Sequence, residues 1–270
     1  MNQKTKKRII ISTLLIIIIM ISIFLFNCLV FIHSNQEYYI YEKNINIPIF
    51  VYHDIVDQLT GEEYMQTTKE NFENQITGLQ KIGYQFIRYD DLIRYSRGEK
   101  KLKEKSILLT FDDGLEGNYY ILYPIIQKYQ IPVSINIVDN NVGTFGALTW
   151  EQIKEMSDSG LVDFYTHSRY HEFSDTVSTE QYVSDIQYSH EHIERELNKP
   201  ILKVFTYPYG VNQETKIEAL SQAGFIQNLT DNRVNQSKNL DLSRLHREYP
   251  LNDSVPKILL KTIYRSIRYQ

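Results

Sequence analysis

The sequence is poor in cysteine and in positive charge. Cys28 is the only cysteine among 270 residues, which excludes an intramolecular disulfide. Four of the 29 Lys and Arg residues lie in the first eight positions, and the remainder has 25 basic against 33 acidic residues, a net charge of −8. A surface of that charge argues against nucleic acid as a partner. The chain also lacks internal repeats and low-complexity tracts, which favours one folded domain.

The N-terminal region has the pattern of a membrane anchor. Its first 36 residues contain no acidic residue, and Ile9 to Ile32 form an almost unbroken apolar run. A helix of this length measures about 36 Å, enough to cross a hydrocarbon core of about 30 Å. Because the basic residues precede the run, the positive-inside rule predicts a cytoplasmic N-terminus and an extracellular remainder. No small-residue cleavage site follows, which favours an uncleaved signal anchor.

These features divide the chain into four parts. We expect a cytoplasmic tail over residues 1–8, a transmembrane signal anchor over 9–32, a stalk over 33–46 and a folded domain over 47–270. Cys28 is interpreted as a packing residue of the anchor. The alternative is lipoprotein acylation, which the bulky Phe26 and Asn27 fit poorly.

The domain alternates between two periodicities. Apolar, β-branched runs predict strands at Ile47–Tyr52, Gln85–Ile87, Ser106–Phe111, Pro132–Val138, Val162–Thr166, Leu202–Tyr207 and Phe225–Thr230. Amphipathic patterns between them predict helices at Lys69–Ile82, Asp90–Arg97, Tyr119–Tyr129, Glu151–Ser159, Thr179–Leu197 and Glu214–Ala223. This alternation predicts an α/β fold, a distorted (β/α) barrel of about seven parallel strands.

Two adjacent carboxylates, Asp112 and Asp113, stand where an apolar strand stops and Gly114 permits a sharp turn. Neighbouring side chains at a strand end point in different directions, so one can hold a metal while the other serves as a base. The alternative is a plain turn, since Asp and Gly dominate turns. Catalytic residues of α/β barrels lie at the carboxyl ends of strands. Three other predicted strands also end in polar residues, and this clustering favours an active site. These residues are His53, the pair His167 and His171, and Tyr207 to Gly210.

The two histidines at positions 167 and 171 indicate a metal site. Four residues apart, they can face one point if the segment turns helically. Two imidazoles and one carboxylate make a three-ligand catalytic zinc site, with Asp113 as the third ligand. Zn2+ is the expected metal, although these ligands also suit Co2+, Ni2+ or Fe2+. The alternative is a pair of exposed loop histidines. His190 and His192, two apart on a predicted helix, are interpreted as surface residues.

Three sequence motifs together resemble those of the polysaccharide deacetylases of carbohydrate esterase family 4. They are Thr110-Phe111-Asp112-Asp113-Gly114, the His167/His171 pair and Tyr207-Pro208-Tyr209-Gly210. The resemblance covers roughly residue 47 to the C-terminus. It implies that Asp112 is the general base, that Asp113, His167 and His171 bind the metal, and that the backbone N–H of Tyr209 donates to the oxyanion.

The chain departs from the common family pattern in two ways. Thr206 stands where the third motif usually has an Arg that orients the base, and no clear Leu-x-His motif follows near the C-terminus. Val51-Tyr52-His53-Asp54 instead precedes the carboxylate pair, as in the circularly permuted branch that includes poly-β-1,6-N-acetylglucosamine deacetylases. That resemblance implies His53 as the general acid; the alternative is a buried structural histidine. Arg244 is a candidate for the missing charge, or it pairs with a surface acid.

The predicted function is metal-dependent hydrolysis of N-acetyl groups from N-acetylglucosamine units of an extracellular or cell-wall polysaccharide, with release of acetate. The polymer can be poly-β-1,6-N-acetylglucosamine, peptidoglycan or a wall-linked glycan. The sequence does not distinguish them, because the shape of the substrate groove depends on the loops at residues 57–68 and 139–148. An O-acetyl polysaccharide esterase is an alternative, as is a non-catalytic carbohydrate-binding protein. A glycoside hydrolase needs carboxylates that flank the bond, which adjacent Asp112 and Asp113 do not provide. The sequence carries no signal for an oligomeric state.

Overall fold

A computed structural model describes residues 19–23, 44–61 and 63–268 of the chain. Residues 19–23 are helical. Within the three described ranges, no helix is long and apolar enough to cross a membrane. Apart from residues 19–23, the predicted anchor at 9–32 lies outside the described residues, and so does Cys28. From Ile45 onward the chain forms one compact unit, which begins close to the predicted domain boundary.

Strands and helices alternate through this unit. The strands are β1 (Asn46–Ile47), β2 (Ile49–Tyr52), β3 (Asp54–Val56), β4 (Gln66–Thr68), β5 (Gln85–Ile87), β6 (Ser106–Asp113), β7 (Val133–Ile137), β8 (Val162–Thr166), β9 (Val204–Thr206), β10 (Ile226–Thr230), β11 (Asn235–Gln236) and β12 (Leu245–Arg247). The helices are α1 (Lys69–Lys81), α2 (Tyr89–Ser96), α3 (Tyr123–Tyr129), α4 (Trp150–Asp158), α5 (Thr179–Leu197), α6 (Glu214–Gln222) and α7 (Val255–Arg268).

Seven parallel strands form a nearly closed barrel, in the order β2, β6, β7, β8, β9, β10, β12. The last strand returns to the first: Val51 N–H donates to the carbonyl of Glu248 at 3.1 Å, and Glu248 N–H donates to the carbonyl of Ile49 at 3.0 Å. Strands β8 and β9 have one registered pair, Thr166 with Phe205. Helices cover the outside of the barrel, so the ring strands are buried on both faces. Their sequences are therefore apolar runs rather than alternating patterns.

The predicted α/β barrel of about seven strands is confirmed, but one member differs from the prediction. Gln85–Ile87 pairs with the first half of β6, outside the ring. The seventh ring strand is β12, Leu245–Arg247, which pairs with β10 and was not predicted. It is three residues long and lies in a polar stretch, so its sequence carries neither a run nor an alternation that marks a strand.

A second correction concerns helix α5. His190 was interpreted as a surface residue, yet it is buried, with its ring 5.7 Å from that of Phe225. His192 is half-buried and contacts Asp139, Nδ1 to Oδ1 at 2.6 Å. The two side chains do point in different directions, as predicted. Both nevertheless contact protein, because α5 packs against α4 and also against α6.

Candidate active site

The carboxylate pair lies at the carboxyl end of β6, two residues beyond the predicted end of that strand. Asp112 and Asp113 still pair with β7, in register with Asn136 and Ile137. The chain then turns sharply, with positive φ at Asp113 and Gly114 (71° and 70°). A side chain at position 114 would not fit, because a Cβ there would lie 2.8 Å from the Ile137 side chain. The glycine lets the strand end abruptly and leaves Asp113 at the rim of the barrel.

Asp113, His167 and His171 bring three ligand atoms together. One atom of each residue lies within 4.8 Å of the others, and Asp113 Oδ1 is 3.4 Å from His167 Nε2 and 3.3 Å from His171 Nε2. Asp113 Oδ1 is buried and has no hydrogen-bond partner among the described residues. Burial opposes ionisation of Asp113, but the contacts with both histidines outweigh it and hold the pKa well below its usual range.

The orientation of His167 also suits a metal. Its Nδ1 lies 2.9 Å from the carbonyl oxygen of Thr206, which can only accept, so Nδ1 carries a proton and, in the neutral ring, Nε2 has the free lone pair. That lone pair faces Asp113. A buried, unpaired carboxylate oxygen with two imidazole nitrogens beside it is the donor set of a catalytic zinc site. The residues therefore fit a divalent metal ion.

The two histidines converge by a different route from the one predicted. The segment from His167 to His171 does not turn helically; Ser168 and His171 both have positive φ, 73° and 61°. The Ser168 hydroxyl accepts from the His171 N–H at 2.9 Å, and the Ser168 N–H donates to the hydroxyl of Thr166 at 3.1 Å. Non-glycine residues at positive φ are strained and persist where surrounding contacts impose them. Here the hydroxyl contacts hold a bend that aims both imidazoles at Asp113.

Asp112 is buried and is held by Arg247. Arg247 Nη1 donates to Oδ1 at 2.8 Å and Nη2 donates to Oδ2 at 2.7 Å, a two-pronged pairing of buried groups. The amide of Asn136 donates to Oδ1 at 2.8 Å. Burial alone raises the pKa of Asp112, but the charge and hydrogen bonds of Arg247 outweigh it and lower the pKa to about 2. Asp112 is therefore ionised at neutral pH.

Arg247, not Arg244, supplies the charge that is absent at Thr206. Arg244 forms ion pairs with Glu214 and Asp241 at the surface, so its candidacy as the orienting residue was wrong. Thr206 instead serves through its carbonyl, which orients His167. Sequence reasoning missed Arg247 because it missed β12. The other candidates were found because they end predicted strands, and Arg247 lacked that signal because its own strand was not recognised.

His53 follows β2 directly and is buried beside the carboxylates. Its ring lies parallel to that of Tyr249, with centroids 6.1 Å apart. Its Nδ1 has no hydrogen-bond partner among the described residues. Burial lowers the pKa of His53, while the charges of Asp112 and Asp113 oppose that change. In the described part of the chain, no backbone group pairs with this Nδ1, which argues against the purely structural alternative.

Tyr209 occupies the rim above the histidines. It adopts φ 58° within the short 3-10 turn Pro208–Gly210. Its ring is exposed, lies 4.5 Å from that of His171 and stacks on Phe173 at 3.9 Å. Gly210 completes the turn at φ 69°, where a Cβ would come within 2.9 Å of the Thr230 carbonyl. The turn fixes Tyr209 beside His171, one of the candidate metal ligands.

The sequence matches a known enzyme family in the region that carries this site. A sequence model of the polysaccharide deacetylase family matches residues 99–227, a range that includes Asp112, Asp113, His167, His171 and Tyr209. The protein therefore contains a polysaccharide deacetylase domain, of the hydrolase family that the motifs predicted.

Individual relatives agree with this assignment. The poly-β-1,6-N-acetyl-D-glucosamine N-deacetylase of Staphylococcus epidermidis is 24% identical over 226 residues, which cover 76% of this chain and 76% of that protein. The structure of IcaB from Ammonifex degensii superposes with a TM-score of 0.69 at 25% identity, covering 80% of this chain and 97% of that one. The Streptococcus pyogenes deacetylase PplD, solved with acetate, shares the fold with a TM-score of 0.73 at 24% identity, covering 82% and 99%.

Proposed function

We propose that this protein is a metal-dependent deacetylase that hydrolyses the N-acetyl groups of N-acetylglucosamine units in a polysaccharide outside the cell. One observation carries the proposal: Asp113, His167 and His171 converge within 4.8 Å, directly beside Asp112, which Arg247 keeps ionised. The name of the Staphylococcus epidermidis relative supports the choice of N-acetylglucosamine.

Asp113, His167 and His171 would hold the divalent metal, most simply Zn2+. Bound there, the ion would polarise the acetyl carbonyl and lower the pKa of a water molecule. Asp112 accepts the proton that this water loses as its oxygen attacks the carbonyl carbon. Because its pKa is held low, Asp112 is ionised at physiological pH and its oxygens are free to accept a proton during the reaction. Arg247 holds the carboxylate in place and balances its charge while it is buried.

Two further groups complete the reaction. The N–H of Tyr209 donates a hydrogen bond to the carbonyl oxygen as negative charge develops on it. When the C–N bond breaks, His53 gives a proton to the departing nitrogen, so that the sugar keeps a free amine and acetate leaves. The charges of Asp112 and Asp113 favour the protonated form of His53, whereas burial favours the neutral one. The pH dependence of the rate tests this role directly.

The location of the enzyme is part of the proposal. The basic tail and the apolar run at residues 9–32 support a single-pass anchor with the catalytic domain outside the cell membrane. Conversion of a neutral N-acetyl group into a cationic amine there changes how the polymer adheres to the cell. Protease treatment of intact protoplasts tests the topology: we expect digestion of the domain, and a protected domain contradicts the outward orientation.

Acetate release from defined oligosaccharides tests the activity. The purified full-length chain is incubated with β-1,6- and β-1,4-linked N-acetylglucosamine oligomers and with an O-acetylated xylan oligomer, with and without a chelator. We expect chelator-sensitive loss of N-acetyl groups by mass spectrometry. Faster loss from the O-acetylated oligomer supports the esterase alternative, and binding without acetate release supports a non-catalytic protein.

A further inference from the structure

The C-terminal helix α7 has apolar residues on two faces, one packed against the barrel and one exposed. The side chains of Ile258, Thr262 and Ser266 face inward and are buried. Val255 and Leu259 also pack against the core. The outward stripe, which we call the α7 stripe, is apolar as well: Leu260, Ile263, Tyr264 and Ile267 are 68%, 53%, 57% and 66% exposed. Surface helices ordinarily turn their apolar face to the core. This arrangement points to a second apolar partner.

The charges on helix α7 are all of one sign. The helix contains Lys257, Lys261, Arg265 and Arg268 and no acidic residue. Two acids that precede it in the chain, Asp253 and Glu248, pair with three of these cations. At about 100° per residue, these cations lie along one flank of the α7 stripe. An apolar stripe flanked by cations suits a helix that lies in the surface of an anionic membrane. The local positive charge contrasts with the net negative charge of the domain sequence.

The stripe lies next to the point where the compact unit begins. Asn46 in β1 pairs with Gln236 in β11, and the side-chain amide of Gln236 donates to the carbonyl of Ser266 in the last turn of α7 at 3.1 Å. The predicted anchor ends only about a dozen residues before this unit, a length that spans at most about 40 Å. A chain anchored in that way therefore keeps the α7 stripe within reach of the bilayer.

The stripe and the active site lie toward opposite ends of the barrel. Asn46 precedes β2 and so lies at the amino ends of the ring strands, whereas Asp112 and His53 lie at their carboxyl ends. Helix α7 starts after the carboxyl end of β12 and runs back until Ser266 reaches β11. A membrane that contacts the last two turns of α7 leaves the mouth of the active site clear of lipid.

We propose that the α7 stripe rests in the anionic lipid surface of the membrane that anchors the chain, and thereby holds the active site facing outward toward its polymer. The proposal rests on the anchored location proposed above, but it adds a second, peripheral membrane contact. The occupant is lipid; a second copy of the chain is the competing outcome of the test.

Single cysteine labels test the proposal on the full-length chain. In a Cys28→Ser background, Leu260→Cys and Ile263→Cys report the α7 stripe, and Phe145→Cys, fully exposed after β7, is the matched control. Each variant carries an environment-sensitive fluorophore and is reconstituted into vesicles of phosphatidylglycerol and phosphatidylcholine. Some vesicles also contain nitroxide-labelled lipid, which quenches only fluorophores in contact with the bilayer.

We expect the labels at positions 260 and 263 to lose fluorescence with nitroxide lipid and to resist aqueous iodide, while the label at 145 behaves in the opposite way. A second substitution checks that the stripe itself is responsible. Ile267→Glu in the Leu260→Cys chain places a negative charge two turns further along the same stripe, so it should restore iodide access to the label at 260.

Three results overturn the proposal. Labels at 260 and 263 that behave like the control leave α7 in water. Labels that resist iodide without being quenched by nitroxide lipid are covered by protein, which indicates a dimer. Chains that fail to float with the vesicles refute both the stripe and the anchor, whereas flotation with water-exposed stripe labels refutes the stripe alone.

Discussion

Arg247 and Asp112 face each other across the interior of the barrel, joined by two hydrogen bonds of 2.8 and 2.7 Å although 135 residues separate them in the sequence. Both side chains are almost completely buried. The hydroxyls of Thr110 and Thr230 also accept from the guanidinium, at 3.1 and 2.6 Å. The arginine is therefore fixed on both sides of the carboxylate, and it determines both the position and the ionisation of the candidate base.

Replacement of Arg247 should raise the pKa of Asp112. In Arg247→Met, burial of Asp112 is no longer opposed by the guanidinium charge, so the carboxylate binds a proton more readily and the acid limb of the pH–rate profile moves upward. We expect the rate of acetate release at neutral pH to fall by about 10²-fold or more. Removal of one partner of a buried ion pair also costs about 3–5 kcal/mol of stability.

The matched control for that variant is Arg244→Met. Arg244 pairs with acids at the surface, where an ion pair contributes about 0–1 kcal/mol. We expect nearly unchanged activity and thermal stability. Equal losses in the two variants would contradict the special role of Arg247.

Substitution of the carboxylate ligand should remove the metal. Asp113→Ala deletes one of three ligands, and we expect loss of both bound metal, measured by elemental mass spectrometry, and acetate release. Asp175→Ala, an exposed acid on the loop that follows His171, is the control and should keep both. Acetate release that survives in Asp113→Ala without metal refutes the proposed mechanism.

The acid role of His53 predicts a separation between metal binding and rate. His53→Gln should leave the metal content unchanged while kcat falls by about 10²- to 10⁴-fold, the usual range for general acid–base groups. His246→Gln is the control, because His246 lies beside Arg247 but pairs with Asp231 at 2.8 Å. An unchanged kcat in His53→Gln assigns the proton transfer to another group.

Asp54 should make the fold less stable as the pH rises. Burial and the nearby charge of Glu116 raise its pKa from 3.8 to about 6, so the folded chain holds this proton more tightly than the unfolded chain. Stability then falls between about pH 4 and about pH 6. Because Asp54 is only partly buried, we expect Asp54→Asn to gain about 1–2 kcal/mol at neutral pH.

Thermal unfolding in detergent, followed by the fluorescence of the single tryptophan, Trp150, measures this effect. The gain should correspond to a few degrees in Tm at about pH 8 and should vanish at about pH 4. Asp57→Asn, an exposed neighbour, should show no such pH-dependent difference. A gain of the same size at both pH values would rule out the titration of Asp54 as its cause.

The elements that the sequence predicted well are those with a long or strongly patterned core face. Helix α5 was predicted from Thr179 to Leu197 and has those bounds, and β8 was predicted from Val162 to Thr166 and has them too. Short strands without such a pattern were missed. Strand β12 is extended because it lies between the backbones of β10 and β2. These partners are distant in the sequence, so the local sequence of β12 does not predict a strand.

The same reasoning explains the candidate site. Asp112, Asp113, His167 and His171 each end a strand with a readable pattern, so their meeting at one rim could be predicted. Arg247 ends β12, whose sequence has no such pattern. The bend at Ser168 and His171 also escaped prediction, because positive φ at non-glycine residues depends on hydroxyl contacts that spacing does not reveal.

The closing strand has a consequence for biosynthesis. A ribosome that has made residues 1–244 has already supplied the candidate base, the acid and all three metal ligands, yet the chain has neither its seventh ring strand nor the guanidinium that keeps Asp112 ionised. Partly made or C-terminally clipped chains are therefore expected to be inert toward acetylated sugars. The catalytic centre is therefore complete only when the chain has supplied β12 and Arg247 has paired with Asp112.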